Sequence, residues 1–286
     1  MTHTDNAELK ERERSNWASV AEGWGRRDDL LRRGAAPVTE RMLELSGITS
    51  GSRLLDIASG TGEPALSAAR IIGESGTVTG IDLADEMLVI ARRKSRKANF
   101  DNIKFHCADA ETLDFATGSF DAVTIRWGLM FMPEPQACLA AAYKALKPNG
   151  SITLACWAAP EKNPFVGVLM KTLKRFMDIP VPPPGTPGIF AFSDPEYLRK
   201  TIASAGFKHI ALEEMSINVI EVDDGRAYWE AISDMAAPVM ALVRKLAEPA
   251  RSDYINAVIK VADTMKQGET LCMKGTTWIA SAVKQA

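Results

Sequence analysis

Leu54-Leu55-Asp56-Ile57-Ala58-Ser59-Gly60-Thr61-Gly62-Glu63-Pro64-Ala65-Leu66 is the stretch on which the fold turns. An apolar run meets an aspartate, and two glycines follow with only Thr61 between them. The pattern reads as a strand that enters a tight turn and leaves as a helix. Such a turn aims the free amides of a helix N-terminus at a ligand, and so cradles a nucleotide-like group. Gly60 to Ala65 also fits G-x-G-x-x-[G/A], the spacing of a dinucleotide site.

On the C-terminal side of this stretch, strand and helix patterns alternate. Strands are expected at Arg53–Ala58, Thr77–Asp82, Ile103–Cys107, Phe120–Ile125 and Ser151–Trp157. Helices are expected between them at Pro64–Ile72, Glu86–Ala98 and Gln136–Leu146, the last ended by the turn residues Lys147 to Gly150. This rhythm predicts an α/β fold, a doubly wound, mostly parallel sheet covered on both faces. Beyond Trp157 it changes. A helical stretch runs to Met177, a proline-rich loop covers Ile179–Gly188, and Asp194-Pro195 caps a further helix that ends at Gly206. Strands at Phe207–Val219 and Gly275–Val283 flank two or three more helices, which brings the sheet to seven strands. On the N-terminal side, one helix is expected from Glu8 to about Arg33 and a short one from Pro37 to Leu45. The chain thus reads as one domain over 1–286, with a helical lid at 1–50, a cofactor-binding core at 51–157 and cap helices with the last two strands at 158–286.

The 286 residues are 46% hydrophobic and 24% charged, a globular balance with enough apolar material for a core. A net charge of −2 gives no general attraction to nucleic acid or to an anionic membrane. Four cysteines form no C-x-x-C pair, and three scattered histidines give no metal-binding spacing. The charged first residues lack the apolar segment of a signal peptide, and no window reads as a membrane span. A cytoplasmic protein is expected.

Asp56 decides between cofactors. A dinucleotide places a pyrophosphate over the glycine turn, where a carboxylate at the mouth repels it. S-adenosylmethionine (SAM) places an ammonium and a sulfonium there, and a carboxylate attracts both. Asp82, twenty residues after Gly62, suits the ribose hydroxyls of either cofactor.

Five segments then fall into one pattern: LLDIASGTGEPAL (54–66), GIDLADEMLVIARRK (80–94), FHCADAETLDF (105–115), SFDAVTIRWGLMFM (119–132) and ALKPNGSITL (145–154). In order and spacing the chain resembles class I SAM-dependent methyltransferases. Within them it is most similar to the ubiquinone/menaquinone C-methyltransferase (type 11) family, over Arg53 to Trp157. The resemblance implies a SAM site, with S-adenosylhomocysteine as its product, in which Asp56, Ala58, Gly60, Thr61 and Gly62 surround the methionine part. It implies further that Asp82 holds the ribose, Leu83 and Met87 pack near the adenine, and Asp109 and Ala110 contact its amino group and ring. Arg126 and Trp127 would lie beside the methionine and the reactive sulfur. Ala58 departs from the commonest pattern of the family, which has glycine there.

Methyl transfer needs alignment above all, worth roughly 7–11 kcal/mol. No base stands out. His106, three residues before Asp109, reads as packing beside its strand and His209 as a surface residue; Glu161, Asp234 and Tyr228 of the cap are the remaining candidates. Trp127, Met130, Trp157 and Trp229 are expected to line an acceptor pocket above the strand ends, together with Phe131, Met132, Phe165, Met170 and Met235. The expected activity is methylation of a small, largely apolar acceptor at carbon or oxygen. The alternatives are an NAD(P)-dependent oxidoreductase, disfavoured by Asp56, and a SAM-binding cyclase or isomerase on the same scaffold.

Overall fold

Seven strands form the sheet: β1 (Arg53–Ile57), β2 (Thr77–Asp82), β3 (Ile103–Cys107), β4 (Phe120–Arg126), β5 (Leu146–Trp157), β6 (Lys208–Val222) and β7 (Leu271–Val283). The computed structural model describes residues 3–179 and 186–286. Residues 180–185 of the proline-rich loop expected at Ile179–Gly188 lie outside them. The strand order is β3-β2-β1-β4-β5-β7-β6. Pairing is parallel from β3 through to β5, and β7 runs antiparallel to both β5 and β6. The expected mostly parallel, doubly wound sheet is therefore present.

Burial explains the central strands. Leu54, Leu55, Ile57, Val123 and Ile125 are all fully buried, because helices cover both faces of a parallel sheet. The edge strand β6 alternates instead, and it carries Glu213, Glu214 and Glu221 where the sheet meets water. The order of the sheet reverses between β1 and β4, and the loops after these strands flank the crevice at the carboxyl ends. The glycine turn after β1 opens there.

Ten α-helices are found among the described residues. They are α1 (His3–Arg26), α2 (Asp28–Ser46), α3 (Ala65–Ile72), α4 (Asp85–Lys97), α5 (Pro135–Ala145), α6 (Pro164–Leu173), α7 (Pro195–Ser204), α8 (Gly225–Ser233), α9 (Ala237–Val243) and α10 (Ala250–Asp263). No helix among these residues is long and apolar enough to cross a membrane. The Asp194 carboxylate caps α7 by accepting from the Glu196 amide at 2.9 Å, as the Asp-Pro pair predicts.

The N-terminal helices differ from expectation. The break falls at Arg27, where Asp28 and Asp29 begin the first turn of α2, and not between Arg33 and Pro37. Gly34 and Pro37 lie inside α2. A Cβ at Gly34 would stand 2.3 Å from the Val219 carbonyl, so the glycine serves a close approach of α2 to β6 rather than a helix end. Consequently α2 packs on β4 to β7, and of the 1–50 segment it is α1 that lies over the crevice. The turn Lys147–Gly150 also takes another form. It bulges within β5, whose Leu146 pairs with Phe120 and whose Ser151 pairs with Ala122.

Candidate cofactor and acceptor site

The glycine turn is built from left-handed residues. Ala58, Gly60 and Gly62 have φ of 57°, 51° and 110°. At Gly62 a Cβ would also press on Leu66 Cδ1 at 2.7 Å, so the leucine would have to shift. Ala58 tolerates the conformation that glycine favours at a cost on the order of 1–2 kcal/mol. Its methyl occupies the room left open by Gly128, where a Cβ would lie 2.3 Å away. The substitution in one loop is thus matched by a glycine in the next.

Asp82 ends β2 and fastens the turn. One carboxylate oxygen accepts from the Gly60 amide at 2.8 Å and the other from the Ala84 amide at 3.0 Å. Burial raises its pKa against those amides, yet the side chain still reaches the cavity. Each oxygen retains a lone pair for a ligand hydroxyl.

Asp56 lies beneath the turn, fully buried. Its Oδ1 accepts from Thr124 Oγ1 at 2.7 Å, while Oδ2 has no partner. Burial pushes its pKa up to about 7. A buried carboxylate with a free oxygen under a ring of left-handed backbone is suited to a cation, and opposed to a pyrophosphate. Arg126 ends β4 nearby. Its Nη1 donates to Thr39 Oγ1 of α2 at 2.7 Å, and burial lowers its pKa. The remaining guanidinium donors are free for an anion at the cavity.

On the far side of the turn, Leu83, Met87 and Ala110 give an apolar slot. Asp109 stands at its edge, with one oxygen accepting from the Glu111 amide at 2.9 Å and the other from Lys10 of α1 at 2.6 Å. Lys10 also lies 2.5 Å from the Glu111 carboxylate. The lid helix is therefore ionically fixed to the slot that the motif residues form.

These groups open into a cavity of about 1330 Å³. Ala58, Gly60, Thr61, Asp82, Leu83, Met87, Asp109, Ala110, Arg126 and Trp127 line it, whereas Asp56 and Gly62 sit behind its surface. The other end is apolar. Trp127, itself left-handed at φ 56°, stacks on Trp157 with centroids 4.4 Å apart and planes 11° from parallel. Its indole N–H donates to Thr277 Oγ1 at 3.1 Å, and Phe165 tilts against Trp157 at 4.6 Å. Met130, Phe131, Met132, Met170 and Met235 complete that end.

One expected pocket residue lies elsewhere. Trp229 is not in the cavity wall: it packs edge-on against Tyr254 of α10, 5.9 Å between centroids, because its side of α8 faces α10 and not the strand ends. The five base candidates are also absent from the wall. His106 and His209 are exposed on edge strands, and Glu161 is exposed beside α6. Asp234 is bound to Arg26 and Arg27 at 2.8 and 2.9 Å. The buried Tyr228 hydroxyl donates to the Phe165 carbonyl at 2.7 Å, and burial holds its pKa high. Sequence reasoning missed Lys10, Glu13 and Asn16 of α1 and Glu63 after the glycine turn, all in the wall. The signal was there in α1, where Glu13, Trp17 and Trp24 recur at helical spacing.

The sequence model of the ubiE/COQ5 methyltransferase family matches residues 18–178. A ubiquinone/menaquinone biosynthesis C-methyltransferase UbiE of Azotobacter vinelandii is 31% identical over 222 residues, covering 72% of this chain and 86% of that protein. Among solved structures, the YcgJ protein of Bacillus subtilis superposes with a TM-score of 0.57 at 17% identity, over 88% of this chain and 99% of that one. The [4+2]-cyclase SpnF does so with the same TM-score at 22% identity, over 88% and 82%. At such identities the two structures speak for the fold, and the sequence matches speak for the cofactor, SAM over NAD(P). The orphaned Asp56 oxygen, the left-handed turn and the paired SAM-family motifs agree with those matches, and the chain belongs to the ubiE/COQ5 family of SAM-dependent methyltransferases.

Proposed function

We propose that this methyltransferase acts on a small, largely apolar acceptor that carries a ring, at carbon or oxygen. The stacked pair of Trp127 and Trp157 carries the proposal. Trp157, buried between Trp127 and Phe165, fixes the half-buried Trp127 ring in the cavity wall beside the glycine turn, and aromatic faces favour stacked or edge-on rings. A cavity of about 1330 Å³ exceeds the roughly 300–1,000 Å³ of an ordinary ligand pocket, which leaves room for an acceptor next to the cofactor. The relatives' name, with its quinone products, agrees with a ring acceptor. Four free cysteines suit a reducing cytoplasm.

When bound, SAM supplies a sulfonium methyl group, and the electron pair of the breaking bond passes to sulfur. Asp56 and the turn would hold the methionine ammonium, and Arg126 its carboxylate. Asp82 would accept from the ribose hydroxyls, and Asp109 from the adenine amino group once Lys10 shares it. Leu83, Met87 and Ala110 would flank the adenine. Trp127 and Trp157 would orient the acceptor ring, and α1 would exclude water above it, so that alignment supplies the larger part of the acceleration.

The test is incubation with methyl-labelled SAM and a reduced naphthoquinone, 1,4-naphthalenediol, in parallel with phosphoethanolamine. Label is expected in the organic-soluble ring product. Label in phosphoethanolamine and none in the ring would sink the proposal.

A further inference from the structure

The cavity wall holds one acid that the cofactor does not explain. Among the described residues, buried carboxylate oxygens without a hydrogen-bond partner occur at Asp56, Glu111 and Glu13. Asp56 lies under the turn assigned to the methionine ammonium, and the Glu111 oxygen has the Lys10 ammonium 2.5 Å away. Oε2 of Glu13 has neither kind of neighbour. The other oxygen, Oε1, is 3.8 Å from Arg12 Nε, too far for a hydrogen bond, and Arg12 is mostly in solvent. The Glu13 side chain is only 14% exposed. Burial pushes its pKa up, against the opposing effects of Arg12 and Asn16. In the ligand-free fold its Oε2 is thus shielded from water and has no hydrogen-bond donor, while Arg12 and Asn16 act on the rest of the carboxylate.

Helical rotation fixes its direction. One edge of α1 meets the cofactor side through Lys10, which binds Asp109, and through Ala21, which packs with Met87. The other edge meets the cap at Gly23, whose Cβ position would lie 2.1 Å from the Asp234 carbonyl. At about 100° per residue, Glu13 falls between these edges, roughly 20° from Trp24. Glu13 and Trp24 both line the cavity. Along the axis Glu13 lies between Lys10, bound to Asp109, and Trp17, whose ring is 5.2 Å from Phe131, so its carboxylate stands at the seam between the cofactor slot and the apolar end.

We propose that Glu13 reads the methyl acceptor: its carboxylate takes the hydrogen bond of an acceptor hydroxyl and holds that hydroxyl at the seam. The inference rests on the apolar ring acceptor proposed above. A hydroxyl on a ring brings a donor for the unpartnered Oε2, and a plain hydrocarbon leaves that oxygen unanswered. Sites built to bond a hydroxyl reject analogues without one far more strongly than apolar pockets reject a missing methylene. Glu13 precedes residues 18–178, the span that the family's sequence model matches. The free oxygen is covered in the ligand-free fold, so seating the hydroxyl requires a rotation of the Glu13 side chain or a small shift of α1.

The full chain, saturated with S-adenosylhomocysteine, is titrated with 2-naphthol and with 2-methylnaphthalene, in which a methyl group replaces the hydroxyl. Tryptophan fluorescence reports binding. Naphthol is expected to bind at least about tenfold tighter than methylnaphthalene. Glu13→Gln is expected to shrink that ratio below about threefold while the S-adenosylhomocysteine affinity and Tm stay at parent values. Should Glu13→Gln fail to fold, Glu13→Leu, of similar volume, makes the same comparison. Equal binding of the two probes by the parent overturns the role of Glu13 and leaves the ring acceptor standing. A preference that survives removal of the acid does the same. Binding of neither probe overturns the ring acceptor itself, and the role of Glu13 with it.

Discussion

The two ends of the cavity are held by different physics. At the cofactor end, short strands deliver backbone amides, left-handed residues and three carboxylates, each tied by hydrogen bonds between 2.6 and 3.0 Å. At the apolar end, where the acceptor is proposed to bind, the wall comes from β5, α6, α9 and α1, and it is held by ring contacts such as Trp127 on Trp157 and Trp157 on Phe165. A polar end of fixed geometry specifies one ligand and tolerates few substitutions. An apolar end held by packing changes shape with one or two side chains, so one scaffold can keep its cofactor while its acceptor varies.

The contrast is broken most forcefully at the tryptophans. Trp157→Ala is expected to lower stability by about 3–5 kcal/mol and to abolish ring-probe binding, with SAM affinity changed by less than about threefold in the folded protein. Trp229→Ala, outside the wall, is expected to lower stability while leaving both affinities within about threefold. Chemical denaturation and fluorescence titration read both variants. Loss of ring binding on Trp229→Ala alone would reverse the map of the acceptor end.

Ligand-induced stabilisation tests the cofactor end. SAM and S-adenosylhomocysteine at a hundred times Kd are expected to stabilise the fold by about 2.7 kcal/mol, and NAD and NADP by nothing. Scanning calorimetry decides it, and a rise with NAD alone would overturn the assignment. Asp82→Ala removes an acceptor for ribose hydroxyls, worth roughly 1.5–3 kcal/mol, and also frees the Gly60 and Ala84 amides. SAM affinity should fall at least about tenfold by isothermal titration. Unchanged affinity would place the ribose elsewhere.

Asp56 makes the polar end pH-dependent. With its pKa pushed up to about 7 by burial, the folded protein keeps a proton that the unfolded chain releases near pH 4. Stability from this group therefore declines as pH rises between those values, and Asp56→Asn should remove the decline. The charged form attracts the ammonium, so SAM affinity should rise about tenfold from pH 6 to pH 8 in the parent and stay flat in Asp56→Asn. A flat parent profile would make Asp56 a loop-building residue. The smallest effect is expected at Ala58→Gly, which relieves left-handed strain for a gain of about 1 kcal/mol, seen as a higher Tm.

Legibility in the sequence follows the same division. The positions of β1 to β5 could be read because parallel central strands are short apolar runs between turns, and Asp82 because strand ends and glycine turns have fixed spacing. Gly34 and Pro37 misled because a local rule takes them as a helix end, whereas α2 uses Gly34 to approach β6. Trp229 misled because tryptophans in a cap face either a cavity or another helix, and only the packing of α8 on α10 decides which. The bounds of β6 and β7 were drawn short, since their ends at Val222 and Leu271 reach beyond the layers that give strands their pattern. Glu13 reads as one more charge among Lys10, Glu11, Arg12 and Arg14, and only its shared helical face with Trp17 and Trp24 sets it apart.

The fastening of α1 has a kinetic consequence. Its cofactor end is held by Lys10, 23% exposed, and its cap end by Arg26, 61% exposed. Dissolved salt screens the wetter pair more. Rising ionic strength should therefore loosen the cap end first and let the helix swing about its cofactor end, so acceptor traffic quickens before cofactor traffic does. The sequence in which the two ligands come and go should then shift with salt, and stopped-flow binding at low and high ionic strength would show it.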